Sequence, residues 1–219
     1  MISALTCINA KAVSLLEQGL HQEAVRMLSR AVKECGSLLS HVVPEENTCL
    51  PLGLAVAPSS QSKTPQHEEF FALPFQMAAH LELRSKHVSQ ETLAAGVAVC
   101  CFNMGLACHL EWVRRQRNDS RVLHQAQVFY GKAYGALQLC QVQSQDALLL
   151  LRLSVYRNLM SLNLELGQLV TVQQLRDNLA FTVSHAHANR MQFNDEVSLH
   201  YLYLTHMLCR SDLVAARAA

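Results

Sequence analysis

The stretch LLEQGLHQEAVRMLSRAV, residues 15–32, holds the end of one apolar-striped segment, a single glycine and most of a second such segment. Ahead of the glycine, Ile8, Ala12, Val13, Leu15 and Leu16 recur at helical spacing, which predicts a helix from about Leu5 to Gln18. Gly19 then ends it, because glycine adopts the left-handed conformation of a helix terminus without a Cβ penalty. Beyond it, Ala24, Val25, Leu28, Ala31 and Val32 share one face of a second predicted helix, His21 to Cys35, closed by Gly36. Two helices joined by so short a link pack antiparallel. Ala12 and Ala24 are small enough to let the backbones approach at the crossing, and Leu15 and Leu28 fill the space beside it.

The rest of the chain extends this helical reading. Of 219 residues, 50% are hydrophobic and 16% charged, below the roughly 25% charged usual for soluble domains. That balance implies much buried helix surface, or a surface that meets other surfaces. The length suffices for one sizeable core or a short stack of helix pairs. A net charge of +1 provides no global field to recruit nucleic acid or an anionic membrane. No basic region followed by an apolar core opens the chain, so no secretory signal is expected. Most of the eight cysteines sit in apolar helical pattern, where a thiol behaves as a small hydrophobe, and reduced thiols in the cytoplasm are the expectation. The uncharged run Thr92–Leu110 is long enough to span a bilayer. Asn103, His109 and two glycines within it point instead to a buried helix in a helical stack, with no membrane partner.

Further helices are predicted over Ser89–Trp112, Val122–Gln141, Asp146–Leu166 with Gly167 ending it, Val170–Ala186 and Phe193–Ala218. Arg114–Arg121 reads as a basic loop. Between the first helix pair and the rest, Pro44, Pro51, Pro58 and Pro65 recur every seven residues, with Ser59-Ser60-Gln61-Ser62 among them. Proline forbids a helix interior, so residues 38–66 read as a flexible Pro/Ser-containing insertion, with Leu50–Val56 able to touch the body. Residues 68–84 carry Phe70, Phe71, Leu73, Phe75 and Met77. They read as an aromatic docking segment, either extended around Pro74 or starting a helix after it.

Helix–glycine–helix units of this kind define repeat architectures. Residues 15–32, with Gly19 at the turn and small residues at the crossing, resemble a tetratricopeptide repeat (TPR). A second, stretched unit resembles the same family through Phe102-Asn103-Met104-Gly105-Leu106-Ala107, with Ala126, Tyr130 and Ala133 on its partner helix and about nine extra residues in the turn. A third runs from Tyr156 through Asn158-Leu159 and Gly167 to Leu179, with Met160 and Val172 where the family has small residues. The FNMGLA helix after a long insertion is also similar to uncharacterised diatom-type algal repeat proteins. The resemblance covers about half the chain. It implies an all-α fold of antiparallel helix pairs, stacked as a short irregular TPR-like α–α superhelix with a Pro-rich insertion, in a single domain spanning 1–219.

Stacked pairs form a groove lined mainly by the first helix of each pair. By the family's pattern Asn9, Val13 and Glu17 would face it in the first unit, Phe102, Leu106 and His109 in the second, and Arg157, Ser161 and Glu165 in the third. This mixed lining suits a peptide groove. It suits equally a groove plugged by the chain's own Pro-rich insertion or Phe-rich segment. Arg114, Arg115, Arg117 and Arg121 could hold an acidic peptide or phosphate groups, or form a solvated turn diluted by Glu111 and Asp119.

No catalytic, cofactor or metal residue is indicated. His-Glu-x-x-His and Cys-x-x-Cys are absent, and adjacent Cys100 and Cys101 on a helix point about 100° apart. Gly-x-Ser-x-Gly and phosphate-binding glycine loops are absent as well. Architecture therefore suggests a non-enzymatic scaffold or protein-interaction module that binds a protein or peptide, with no cofactor and no nucleic acid. The alternative is a helical enzyme or metal-binding protein whose site is assembled only in space.

Overall fold

The computed structural model describes residues 2–39, 53–57, 70–78, 89–140 and 146–188. The expected helix over 193–218 lies outside the described residues, as do 40–52, 58–69 and 79–84 of the Pro-rich and aromatic stretches. The described elements are α1 (Ile2–Glu17), α2 (His21–Leu39), β1 (Gly53–Val56), β2 (Phe75–Ala78), α3 (Gln90–Arg114), α4 (Ser120–Leu137), α5 (Asp146–Glu165) and α6 (Leu169–Ala188). The molecule is mostly helical, and its only described sheet has two strands.

Three helix pairs follow one another along the chain. Each helix packs on the next, from α1 against α2 through to α5 against α6. The first helices also meet, α1 with α3 and α3 with α5. The connections after α1 and α5 are made as the sequence predicts. Gly19 and Gly167 have φ of +74° and +69°. The Leu20 N–H reaches back to the Leu15 carbonyl (2.9 Å), and Gln168 N–H to that of Asn163 (2.8 Å). These are the closing bonds of a Schellman terminus.

Four boundaries differ from expectation. Gly36 does not close α2, which continues to Leu39. The basic stretch is not a long loop, because α3 runs through Arg114 and α4 begins at Ser120. Arg114 and Arg115 extend the helix by bonding back to Glu111, and the Asp119 side chain caps α4 by accepting from the Arg121 N–H. The nine-residue stretching of the second unit is therefore mostly extra helix: α3 has 25 residues, about 37 Å at 1.5 Å per residue. At the other end of α4 the helix stops at Leu137, where Arg152 of α5 donates to the Leu137 carbonyl (2.8 Å).

α3 is the centre of the molecule. Every residue from Thr92 to His109 is buried, because α2, α4, α1, α5 and β2 all contact it. A helix enclosed on all sides needs no polar face, which is why its sequence runs apolar throughout. Its length and composition would also suit a bilayer, but 94% of its most apolar window is buried inside the fold. Small residues set the contact distances. A Cβ on Gly105 would lie 2.7 Å from the Tyr130 ring of α4, and one on Gly96 would lie 2.8 Å from Leu5 Cδ2 of α1.

β1 and β2 pair antiparallel, with Gly53 opposite Ala78 and Val56 opposite Phe75. The strands come from the two regions read as insertion and aromatic segment, and the aromatic one is extended. β2 lies against α1 and α3, while β1 touches α5. The hairpin thus covers the face made by the three first helices.

Candidate functional site

The face of α1, α3 and α5 contains three asparagines, one per helix, each fully buried: Asn9, Asn103 and Asn158. A buried primary amide is unfavourable unless its donors and acceptor are matched. Here the partners are the backbone of residues 71 and 75. Phe75 N–H donates to Asn103 Oδ1 (3.0 Å), and Asn103 Nδ2 donates to the Phe75 carbonyl (2.7 Å). Asn9 Nδ2 donates to the same carbonyl (3.1 Å). Asn103 Nδ2 also donates to Asn9 Oδ1 (2.9 Å), joining α3 to α1. Four residues earlier in the segment, Phe71 N–H donates to Asn158 Oδ1 (2.7 Å) and Asn158 Nδ2 donates to the Phe71 carbonyl (3.1 Å). Asn158 Nδ2 further donates to the Tyr130 hydroxyl (2.9 Å).

Side chains of the segment enter the body beside these bonds. Phe75 meets Phe102 edge to face, with centroids 5.1 Å apart, and Phe71 packs on Phe75 at 5.6 Å. Phe70 stacks on His109 at 3.8 Å. Met77 is buried near Gly96, where Sδ would lie 3.6 Å from an added Cβ. Pro74 sits between the two anchored residues. Its carbonyl accepts from the Ala57 N–H (2.9 Å), and it has no N–H to satisfy.

The residues expected to line a groove fall in different places. Asn9, Phe102 and His109 touch the segment. Val13, Leu106 and Arg157 are buried within the body. Ser161 is half-buried, while Glu17 and Glu165 are exposed. Of the three occupants named for a groove, a partner peptide, the Pro-rich insertion and the Phe-rich segment, it is the Phe-rich segment that lies against α1 and α3. Asn103 and Asn158 were in the quoted motifs but not assigned to the lining. The signal that singles them out is an amide inside an otherwise apolar helical run.

The basic residues form a turn rather than an open cluster. Arg114 and Arg115 both bond Glu111, Arg115 also bonds Asp119, and Arg117 bonds Glu165 of α5 while lying 5.3 Å from the Trp112 ring centroid. Arg121 is exposed on the first turn of α4. Glu111 itself is buried, and its Oε2 lies 3.1 Å from His21 Nδ1 of α2. Hydrogen bonding by Arg114 holds its carboxyl well below the usual carboxylate range, with Arg115 and His21 adding to the effect against the opposing pull of burial.

Six described cysteines are free thiols. Burial pushes those of Cys101 and Cys108 up to about 12 and that of Cys100 well above its ordinary value. They stay protonated at neutral pH and are poor nucleophiles. Among the described residues no group of three or more His, Cys, Asp or Glu is placed to hold a metal ion. Comparison of the chain with protein-family models, with curated proteins and with solved structures finds no match.

Proposed function

We propose that this chain is a non-enzymatic protein-interaction module, a short irregular TPR-like stack whose working face is that of α1, α3 and α5. The observation that carries the reading is the convergence of Asn9, Asn103 and Asn158, one from the first helix of each pair, on the backbone of a single extended segment. An amide that donates to a carbonyl and accepts from the N–H of one residue recognises extended chain, as a neighbouring strand does. Contacts between successive first helices, with the short turns at Gly19 and Gly167, support the repeat reading. The partner is a protein segment, not nucleic acid or membrane, and the setting is the cytoplasm.

Photo-crosslinking of the full-length chain in its native cells tests this. A photoreactive residue at Ser161, one turn from Asn158 on α5, is expected to capture specific proteins, and Asn158→Ala in the same chain to abolish their capture. Capture of nothing above background, or capture unaffected by Asn158→Ala in a chain that still melts cooperatively, would overturn the reading.

A further inference from the structure

Residues 70–77 cover three primary amides and supply most of their partners, which would be lost without the segment. Asn103 would keep only Asn9, and Asn158 only Tyr130. Packing of phenylalanine rings needs none of this. An apolar core accepts rings on Leu, Phe or Ala surfaces, and buried amides without partners destabilise it. The three helices are therefore built to receive an extended backbone at this place. The bonds go to main-chain N–H and C=O groups, which every residue but proline supplies. Sequence preference comes only from where the side chains enter: Phe70 on His109, Phe71 and Phe75 on Phe102, Met77 near Gly96.

We propose that residues 70–77 are the built-in occupant of a peptide site. The ligand that site takes in trans is an extended protein segment with aromatic side chains at the places of Phe71 and Phe75 and an apolar one at that of Met77. The proposal rests on the reading of the chain as an interaction module. Cis and trans segments use the same asparagines, so they exclude one another. A tethered segment acts at an effective concentration of about a millimolar, and it lowers the apparent affinity of any free segment by the fraction of sites left open. The cis segment thereby sets a threshold that only a well-matched or abundant partner passes.

The test uses the full-length chain and a fluorescein-labelled peptide of residues 70–78, FFALPFQMA. Replacing Phe71 and Phe75 together by alanine weakens the cis segment and leaves the asparagines in place. Fluorescence anisotropy is expected to show the peptide binding this variant at least about tenfold more tightly than the wild-type chain. A peptide with the same two alanines is expected to bind at least about tenfold more weakly, since two aromatic contacts are lost. If the variant chain is unfolded alone, the same titration is read as recovery of helical circular dichroism, because a ligand of the folded state restores it by mass action. A folded variant that ignores the peptide, an unfolded one that the peptide does not rescue, or equal binding of both peptides overturns the proposal. So does a wild-type chain that exchanges segments with a second copy and sediments as a dimer, which would make the occupant another copy of the chain. The two readings fail separately. Crosslinked partners without peptide binding remove only the cis occupant, whereas peptide binding without native partners removes the interaction role.

Discussion

α3 meets its two most informative neighbours in opposite ways. Towards α4 it offers small side chains, and contact is between side chains: Gly105 accepts the Tyr130 ring, with Ala126 and Ala133 buried alongside. Towards residues 70–77 it offers the rings of Phe102 and His109 and also a buried amide, whose contact is from side chain to main chain. The first interface specifies both partners by shape, so each side is legible in its own residues. The amide part of the second specifies one side only. The host must carry asparagines, while the guest contributes an extended backbone that leaves no mark in its sequence beyond a few apolar anchors.

Breaking the second interface has the largest expected effect. Asn103→Ala leaves the Phe75 N–H and Asn9 Oδ1 without their partners, both buried. At about 1–3 kcal/mol for each unsatisfied group, the loss is about 2–6 kcal/mol. Urea unfolding followed by Trp112 fluorescence measures it. Hydrogen exchange is expected to place the first opening at residues 71–77 rather than in α3 or α4. An unchanged urea midpoint would mean that ring packing alone holds the segment.

This contrast explains what was legible in the sequence. Six helix positions and the two glycine turns follow from periodicity and from residues whose local conformation is decided by their own chemistry, such as Gly19 and Gly167. The aromatic segment was visible as Phe70, Phe71 and Phe75 around Pro74, and its extended form was one of two open readings. Its place on the first helices was one of several possible occupancies. The asparagine set was not legible, because nothing in the spacing of Asn9, Asn103 and Asn158 along the chain announces that they meet. What can be read locally is that each lies in an apolar run and needs a partner. Which partner depends on a backbone 28 to 87 residues away. The end of α3 failed for a related reason: a basic run looks like a loop until Glu111 and Asp119 are seen to be paired with it.

The first interface breaks by overfilling. Gly105→Ala places a methyl 2.7 Å from the Tyr130 ring. That ring cannot swing away freely, since its hydroxyl accepts from Asn158. Overpacking costs about 1–3 kcal/mol, and alanine returns up to about 1 kcal/mol of helix propensity. A net loss of about 1–2 kcal/mol is expected by the same urea measurement. Gly96→Ala is the control. Its methyl meets two flexible side-chain ends, Leu5 Cδ2 at 2.8 Å and Met77 Sδ at 3.6 Å, so the change is expected to stay within about 0.5 kcal/mol of wild type. Equal losses at both glycines would remove the special closeness of α3 and α4.

Glu111 sharpens the comparison through pH, because it ties α3 to α2 through His21 and, by way of Arg115 and Asp119, to the cap of α4. Its carboxyl is depressed in the folded state, so it contributes stability above the ordinary carboxylate range, and that contribution is lost as pH falls through and below about 4. Wild-type stability is therefore expected to fall more steeply between pH 5 and pH 3 than that of Glu111→Gln, measured as melting temperature. Parallel curves for the two chains would show that the arginine contacts add nothing beyond what solvent provides.

The smallest effect concerns how the first helices end. α1 and α5 finish on glycines in the left-handed region, but α3 makes the same terminus with Gln116 at φ 56°, followed by Arg117 at 62°. The closing bond is present all the same, from the Arg117 N–H to the Trp112 carbonyl at 3.0 Å. A side chain in that region costs about 1–2 kcal/mol relative to glycine in the folded state. Glycine in turn loses roughly 0.5–1 kcal/mol more chain entropy on folding. Gln116→Gly is therefore expected to stabilise the chain by less than about 1 kcal/mol, or a few degrees at most in melting temperature. The position is exposed, so packing does not enter the balance. A lowered melting temperature would mean that glutamine is held there by the ion-paired turn around it, and that Arg115, Arg117 and their carboxylates, rather than backbone preference, decide where α3 stops.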